Sequence, residues 1–473
     1  MKSDSRWRLS LMMFLQYAIW GVWSPILGMH LDHLHFTGAQ MGPIFGTMAI
    51  ASILSPFIAG QIADRYFSTE RFLALTHFIG GLLLLWLAKL TTPTSVYWVM
   101  MAYALLYAPT VALTNSISFH HLSDAERDFG KIRLWGTIGW IAIGWVFGAA
   151  LGHWSNAFSS ALWVIGWLVT GFIVGVAAAS RTGMTAGIVG AVLAGVLAVL
   201  LPRWWHGVQI AHCFTVGGIT SIALAAYCLT LPHTPPAKKA ANPWAFLEAI
   251  ALIRQRNFAV LFFVSFFVAT ELAFYYLLSP IFFERVVRIP SSWVGPVMTI
   301  GQIAEVLVLI LLPLSLKRIG MRNTIAIGIS TWPVRYLIFS LFALTAPSVF
   351  ASGPNTTIVY VATAIVFLAQ ALHGVCYAFF FVAGQVYTDQ VATGDIRASA
   401  QSLIAIATAG VGGYVGAKFA GWARDAFTVA TSTGLQPDFF KIYLIPVSIT
   451  FACAIAFLIG FKSEKRVPVP EAA

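Results

Sequence analysis

Apolar runs of membrane-spanning length recur along the whole chain, and they restrict its fold more than any other feature. A helix that crosses a bilayer needs roughly 20 mostly apolar residues. Such runs lie at 9–31, 41–62, 72–91, 95–115, 131–151, 157–180, 184–201, 208–231, 258–283, 294–314, 323–346, 357–383, 398–421 and 440–461. The length criterion predicts about fourteen spans, the one at 184–201 being the shortest. Composition agrees: only 10% of the 473 residues are charged and 59% are hydrophobic, whereas a soluble domain carries about 25% charged residues. The bilayer must therefore be the solvent for most of this surface.

The formal charge of +11 does not point to nucleic acid, because no basic run with interleaved aromatics accompanies it. The basic residues gather in alternate loops instead. One set carries Lys2, Arg6, Arg8, Arg65, Arg71, Arg127, Lys238, Lys239, Lys317, Arg318, Arg322, Lys465 and Arg466, and the other set carries few. By the positive-inside rule both termini are expected in the cytoplasm, which suits an even number of spans. The N-terminal apolar run lacks a small-residue cleavage site and reads as the first span. Cys213, Cys228, Cys376 and Cys453 all fall in apolar segments and read as small packing residues.

A polar stretch at 232–257, opening with Pro232, Pro235, Pro236, Lys238 and Lys239, prevents a continuous helix and divides the chain. The expected organisation is an N-terminal bundle at 1–231 with an inserted hairpin near 157–201. A cytoplasmic linker, a C-terminal bundle at 258–461 and a tail at 462–473 complete it. Residues 244–256 read as a short amphipathic helix at the cytoplasmic face. Two bundles joined in this way predict an all-α repeat fold with a solute site near the midplane.

Ionisable groups inside spans are expensive and are functional candidates by default. Glu271 and Glu305 lie well inside second-half spans. Removal from water favours a neutral carboxyl, so both are candidate proton carriers. Gln302 shares a helix face with Glu305. Arg133, Thr137 and Trp140 align a cation, a hydroxyl and an aromatic plate on one face of the fifth span, and Gln16, Trp20 and Trp23 repeat that spacing on the first. Such stripes suit a polar ring held by hydrogen bonds and stacking, although belt tryptophans, an interfacial arginine or ordinary packing would use the same residues. His373 and Tyr377, with Phe380 and Phe381, form another polar–aromatic face that suits a site or a packed core equally. Gly60, Asp64 and Arg65, at the end of the second span, suit a conformational gate, and 316–322 is the equivalent turn of the second half. This paired pattern is a signal of the major facilitator superfamily. His30, Asp32, His33 and His35 are expected in a solvated external loop, with no metal. No P-loop, nucleotide-binding glycine pattern or Ser-His-Asp set stands out, and no cofactor is implied.

Several longer stretches, in order, resemble the nucleoside:proton symporter family of the major facilitator superfamily. They are FLQYAIWGVW from Phe14, YAPTVALTNSISF from Tyr107, IRLWGTIG from Ile132, LPHTPPAK from Leu231 and IRASAQ from Ile396. The resemblance covers most of the chain outside roughly 155–207. It implies a twelve-helix carrier that brings in nucleosides with protons. It further implies that Arg133, Thr137 and Trp140 contact nucleoside, that Gln302 and Glu305 bind near the ribose and support coupling, and that Tyr377 is an aromatic site position. Ala273 and Tyr276 stand where the family places a glutamine and an asparagine, and Ala378 stands where it places an aspartate. The remaining proton candidates are then Glu305 and Glu271. The expected protein is a nucleoside:proton symporter of the cell inner membrane, probed against four other readings: a carrier of a sugar, nucleobase or drug-like solute, an uncoupled facilitator, a membrane enzyme, and a sensor that binds without transport.

Overall fold

The structure, a computed structural model, describes residues 3–58, 67–122, 125–152, 208–235, 249–392, 396–431 and 434–462. The expected hairpin near 157–201 lies outside these residues, as do Gly60, Asp64, Arg65 and most of the linker and tail. Among the described residues, nine helices are long and apolar enough to cross a membrane.

Proximity of Cα atoms divides the chain into two units, Met1–Pro243 with Tyr276–Thr299, and Trp244–Tyr275 with Ile300–Ala473. In the first unit, α1 (Ser3–Trp23) runs through a tight turn at Ser24–Ile26 into α2 (Leu27–His33). Pro25 starts that turn, where its missing N–H does no harm. Four further helices follow: α3 (Gly38–Ile58), α4 (Thr69–Leu87), α5 (Pro93–His121) and α6 (Ala125–Leu151). The unit also contains α7 (His212–Cys228). Helix α1 packs along α6 and α7, and α4 packs along α5 and α7. Small residues allow the tightest of these approaches. A Cβ on Gly139 of α6 would lie 2.2 Å from the Phe14 carbonyl oxygen of α1, so only glycine fits that crossing.

In the second unit, a short 3-10 turn at Ala249–Arg254 precedes α8 (Arg256–Ala273), so the described part of 244–256 is not the amphipathic α-helix expected from sequence. Helix α8 passes through a π-wound turn, Phe274–Leu278, into α9 (Ser279–Arg285), which belongs to the first unit. Next comes α10 (Ser291–Ala351), a 61-residue element broken at Gly320, whose φ of 82° and ψ of 168° interrupt the helix between the expected runs 294–314 and 323–346. A left-handed backbone of that kind favours glycine. Two more helices carry π-wound turns. One leads from α11 (Thr357–Cys376) through Tyr377–Val382 to α12 (Ala383–Val391), and the other from α13 (Arg397–Ala405) through Ile406–Gly412 to α14 (Gly413–Ala426). A two-stranded antiparallel hairpin, β1 (Thr428–Thr431) with β2 (Gly434–Pro437), precedes α15 (Phe439–Gly460). This hairpin is the one departure from an all-helical pattern among the described residues, and Thr428 pairs with Pro437 in it.

The four cysteines are free and buried, as packing residues should be. The histidine-rich stretch departs from its expected place. Residues 27–33 are helical, and Asp32 is 1% exposed rather than solvated. Its carboxylate pairs with Arg285 of α9, which holds it out of solvent, and the His33 ring pairs with Glu284, while His33 and His35 themselves remain exposed as expected. Among the described residues no cluster of metal ligands is present.

Candidate functional site

In the first unit the candidate side chains meet where α1 crosses α5 and α6. Gln16 is fully buried, and its Nε2 donates to Thr110 Oγ1 at 2.8 Å. Tyr107 Oη donates to the Gln16 carbonyl oxygen at 2.7 Å. Both bonds tie α1 to α5, and the Gln16 side-chain oxygen has no partner among the described residues. One turn further on, Trp20 sets its ring edge-on to Tyr107 at 6.0 Å and to Trp140 at 5.2 Å. The close α1–α6 crossing places Trp140 there. Its indole N–H is buried and has no partner among the described residues.

The Arg133 guanidinium lies 4.0 Å from the centroid of the Tyr17 ring on α1. An arginine merely anchoring a helix end would reach for water or lipid headgroups. This one is half-buried over an aromatic face, a contact worth about 0.5–2 kcal/mol. Thr137 follows one turn later, half-buried. The structure thus brings Gln16, Trp20, Arg133 and Trp140 around one aromatic-walled crossing, with Thr137 on the same helix. Trp23 takes no part in it. It is buried against Tyr103 and Phe214 as core.

In the second unit a fully buried polar cluster lies among α8, α10 and α11. Arg335 of α10 is 0% exposed. It donates to Gln370 Oε1 at 3.0 Å and approaches His373 Nδ1 at 3.4 Å. A guanidinium only donates, so Nδ1 must be the accepting nitrogen of that imidazole. Tyr275 touches both groups: its ring stacks on His373 at a centroid distance of 4.4 Å, and the Arg335 guanidinium carbon lies 4.4 Å from the centroid of the same ring. Gln370 Nε2 completes the set by donating to Tyr275 Oη at 2.8 Å.

Glu271 lies one turn before Tyr275 and is also 0% exposed. Thr270 Oγ1 donates to its Oε1 at 3.1 Å, while Oε2 has no partner among the described residues. Gln302 is buried, with its Oε1 likewise without a partner there. Glu305 is half-buried, so the two carboxyls expected to be equally withdrawn from water differ. Tyr377 opens a π-wound turn and is half-buried, its ring 6.1 Å from His373 and 5.6 Å from Phe381. Turns of that kind recur at functional sites because they re-aim side chains. Ala378 is fully buried among its neighbours.

Arg335 and Gln370 were not among the residues singled out from sequence. The signal was present, since Arg335 is a lone cation in the middle of the apolar run 323–346. A cavity of about 620 Å³ in the first unit is lined by His30, His33, Lys89, Gln209 and Ser291 and contains none of the candidate residues.

Comparison with known proteins identifies the family to which the chain belongs. The family model described as "Nucleoside H+ symporter" matches residues 3–177 and 173–466. The putative nucleoside transporter YegT of Escherichia coli (strain K12) is 33% identical over 463 residues, covering 97% of this chain and 94% of that protein. The nucleoside permease NupG of the same organism is 28% identical over 480 residues, covering 98% of this chain and 97% of that one. A crystal structure of the nucleoside transporter NupG matches with a TM-score of 0.73 at 25% identity, covering 98% of this chain and all of that chain. These are membrane transporters rather than enzymes, with a major facilitator fold. The chain belongs to the nucleoside H+ symporter family.

Proposed function

We propose that this chain imports nucleosides together with protons by alternating access. The observation that carries the reading is the α1–α6 crossing. There Trp20 and Trp140 offer aromatic edges while Arg133, Thr137 and Gln16 offer donors and acceptors. A nucleobase needs both kinds of contact, stacking for its faces and hydrogen bonds for its edges. Gln302, Glu305 and Tyr377 would meet the remaining polar groups. Glu305 and Glu271 would carry the proton, and neutralising a buried carboxyl removes the charge that resists a change of state.

The finer architecture belongs to the same proposal. Two six-helix bundles related about the membrane normal, with a hairpin near 157–201, would give about fourteen spans. The N-terminal bundle would occupy 1–231, the cytoplasmic linker 232–257, the C-terminal bundle 258–461 and the tail 462–473. The protein would sit in the cell inner membrane as a monomer, with both termini cytoplasmic. Gly60, Asp64 and Arg65 would hold one conformation shut.

The test is uptake of radiolabelled uridine and adenosine by cells that lack their own nucleoside permeases, with and without a protonophore. The proposal expects uptake that collapses with the protonophore. Uptake that survives it would mean an uncoupled facilitator, a reading that Ala378 in place of the family's aspartate favours. No uptake by protein shown to reach the membrane would point to another solute.

A further inference from the structure

Arg335 stands in the middle of an apolar helix and meets only neutral partners among the described residues. Gln370 and His373 accept from it, and the rings of Tyr275, Tyr336 and Phe339 lie 4.4, 5.4 and 5.4 Å from its guanidinium carbon. A buried cation without a counter-anion is among the most expensive groups a membrane protein can hold. An apolar side chain of similar volume would pack as well. The cation is therefore explained by what it orients, and its direct contacts name the target.

Those contacts form a closed knot around Tyr275. A guanidinium can only donate, so it holds Gln370 with the amide oxygen toward itself and the amide nitrogen toward Tyr275 Oη, 2.8 Å away. The same guanidinium lies against the Tyr275 ring, and His373 stacks on that ring at 4.4 Å. Ring and hydroxyl are thus fixed by separate contacts, the ring by its two neighbours and the hydroxyl by Gln370.

The knot reaches Gln302 in two ways. The Tyr275 hydroxyl is within hydrogen-bonding reach of the Gln302 side chain. Helix α11 also lies directly against the turn of α10 that carries Gln302. A Cβ on Gly301 would be 3.0 Å from His373 Cβ, and one on Gly374 would be 2.4 Å from the Glu305 backbone nitrogen. Gln302 is 8% exposed, and its Oε1 has no partner among the described residues. With the oxygen unmet, the end of the amide that faces Tyr275 is the nitrogen. A buried amide oxygen without a bond is costly unless a ligand supplies the missing donor.

We propose that Arg335 is a positioning residue for solute recognition: it holds Tyr275, and Tyr275 holds the Gln302 amide so that Oε1 is offered to a hydroxyl or N–H of the solute. This rests on the reading that Gln302 meets the nucleoside. A nucleoside carries such donors as hydroxyls on its sugar and as N–H groups on its base. Arg335 itself touches no solute in this arrangement, and no proton changes place. A neutral side chain at 335 could fill the space, but it could not fix which end of Gln370 faces Tyr275.

The experiment measures KM and Vmax of uridine uptake in proteoliposomes, normalised to folded protein. Tyr275→Phe deletes the hydroxyl and keeps the ring in its stack, and is expected to raise KM about three- to tenfold. Gln302→Leu should raise KM at least as much. Tyr275→Phe/Gln302→Leu should raise it no further than Gln302→Leu alone, because the hydroxyl acts through the amide. Arg335→Gln should raise KM as Tyr275→Phe does and add nothing to it in the double variant, with Vmax within about twofold of the parent. If Arg335→Gln fails to fold, Arg335→Lys takes its place with the same expectation, since a point charge lacks the planar fork that sets Gln370. Parental KM in Tyr275→Phe would overturn the proposal, as would additive losses in either double variant. A fall in Vmax at unchanged KM, or loss of fold in both Arg335 variants, would mark Arg335 as structural and overturn it too. Absence of uridine uptake by the parent protein would sink the nucleoside reading, and the proposal with it.

Discussion

The polar clusters of the two units are built from similar residue types but handle charge differently. In the first unit the one cation, Arg133, is half-buried and leans on Tyr17, and the other groups are neutral: Gln16, Thr110, Tyr107 and two tryptophans. In the second unit an arginine and a glutamate are both removed from water, and Tyr336, whose ring lies beside the guanidinium, donates to the Glu271 backbone carbonyl. Neutral dipoles suit recognition of an uncharged ring, because they can stay satisfied whether the ring is present or absent. Buried ionisable groups suit proton coupling, because one proton changes the cost of the whole arrangement. Under the proposed function, nucleoside recognition falls chiefly to the first unit and proton handling chiefly to the second.

Substitutions can break that division. The largest expected effect is on Glu305→Gln in proton-driven uptake. Each elementary charge moved across 100 mV is worth about 2.3 kcal/mol, or about fiftyfold accumulation. The variant should lose that gain and reach only the external concentration. Full pH-driven accumulation by Glu305→Gln would remove it from coupling. Next comes Arg133→Ala, expected to weaken nucleoside binding by about 1.5–3 kcal/mol, the usual worth of a bond to a charged group. Isothermal calorimetry would measure it, and the pH dependence of transport should stay unchanged. A shifted pH dependence would blur the proposed division. Trp140→Leu should weaken binding by about 1 kcal/mol through lost ring contact. The smallest effect is expected for Gln16→Leu, about 0.5–1.5 kcal/mol in thermal stability from the lost bond to Thr110. An equally large loss of coupling in Gln16→Leu would count against a purely neutral first-unit site.

Much of this was legible in the chain itself, for reasons that differ by feature. Span length and the spacing of Arg133, Thr137 and Trp140 are local properties, and helix geometry alone places them on one face. The contact of Trp20 with Trp140 was not readable, because it depends on how closely α1 and α6 approach, which Gly139 decides. Asp32 was expected in solvent because its partner, Arg285, is remote in sequence. The single chain also could not reveal that Glu271 is fully buried while Glu305 is half-buried, since both sit in apolar runs. Arg335 could have been found by the same rule that selected the glutamates. Its partners Gln370 and His373 belong to a different helix and emerge only from the packing. The π-wound turns, which open beside Tyr275 and at Tyr377, leave no periodicity signal.

The claim that nucleoside and proton move together is tested most directly by nucleoside-driven proton flux. Purified protein would be reconstituted in liposomes without a membrane potential, and an inward nucleoside gradient imposed while external pH is followed with an impermeant dye. The account predicts external alkalinisation that depends on nucleoside and is lost in Glu271→Gln and Glu305→Gln. Nucleoside entry at the same rate with no change in external pH would contradict it.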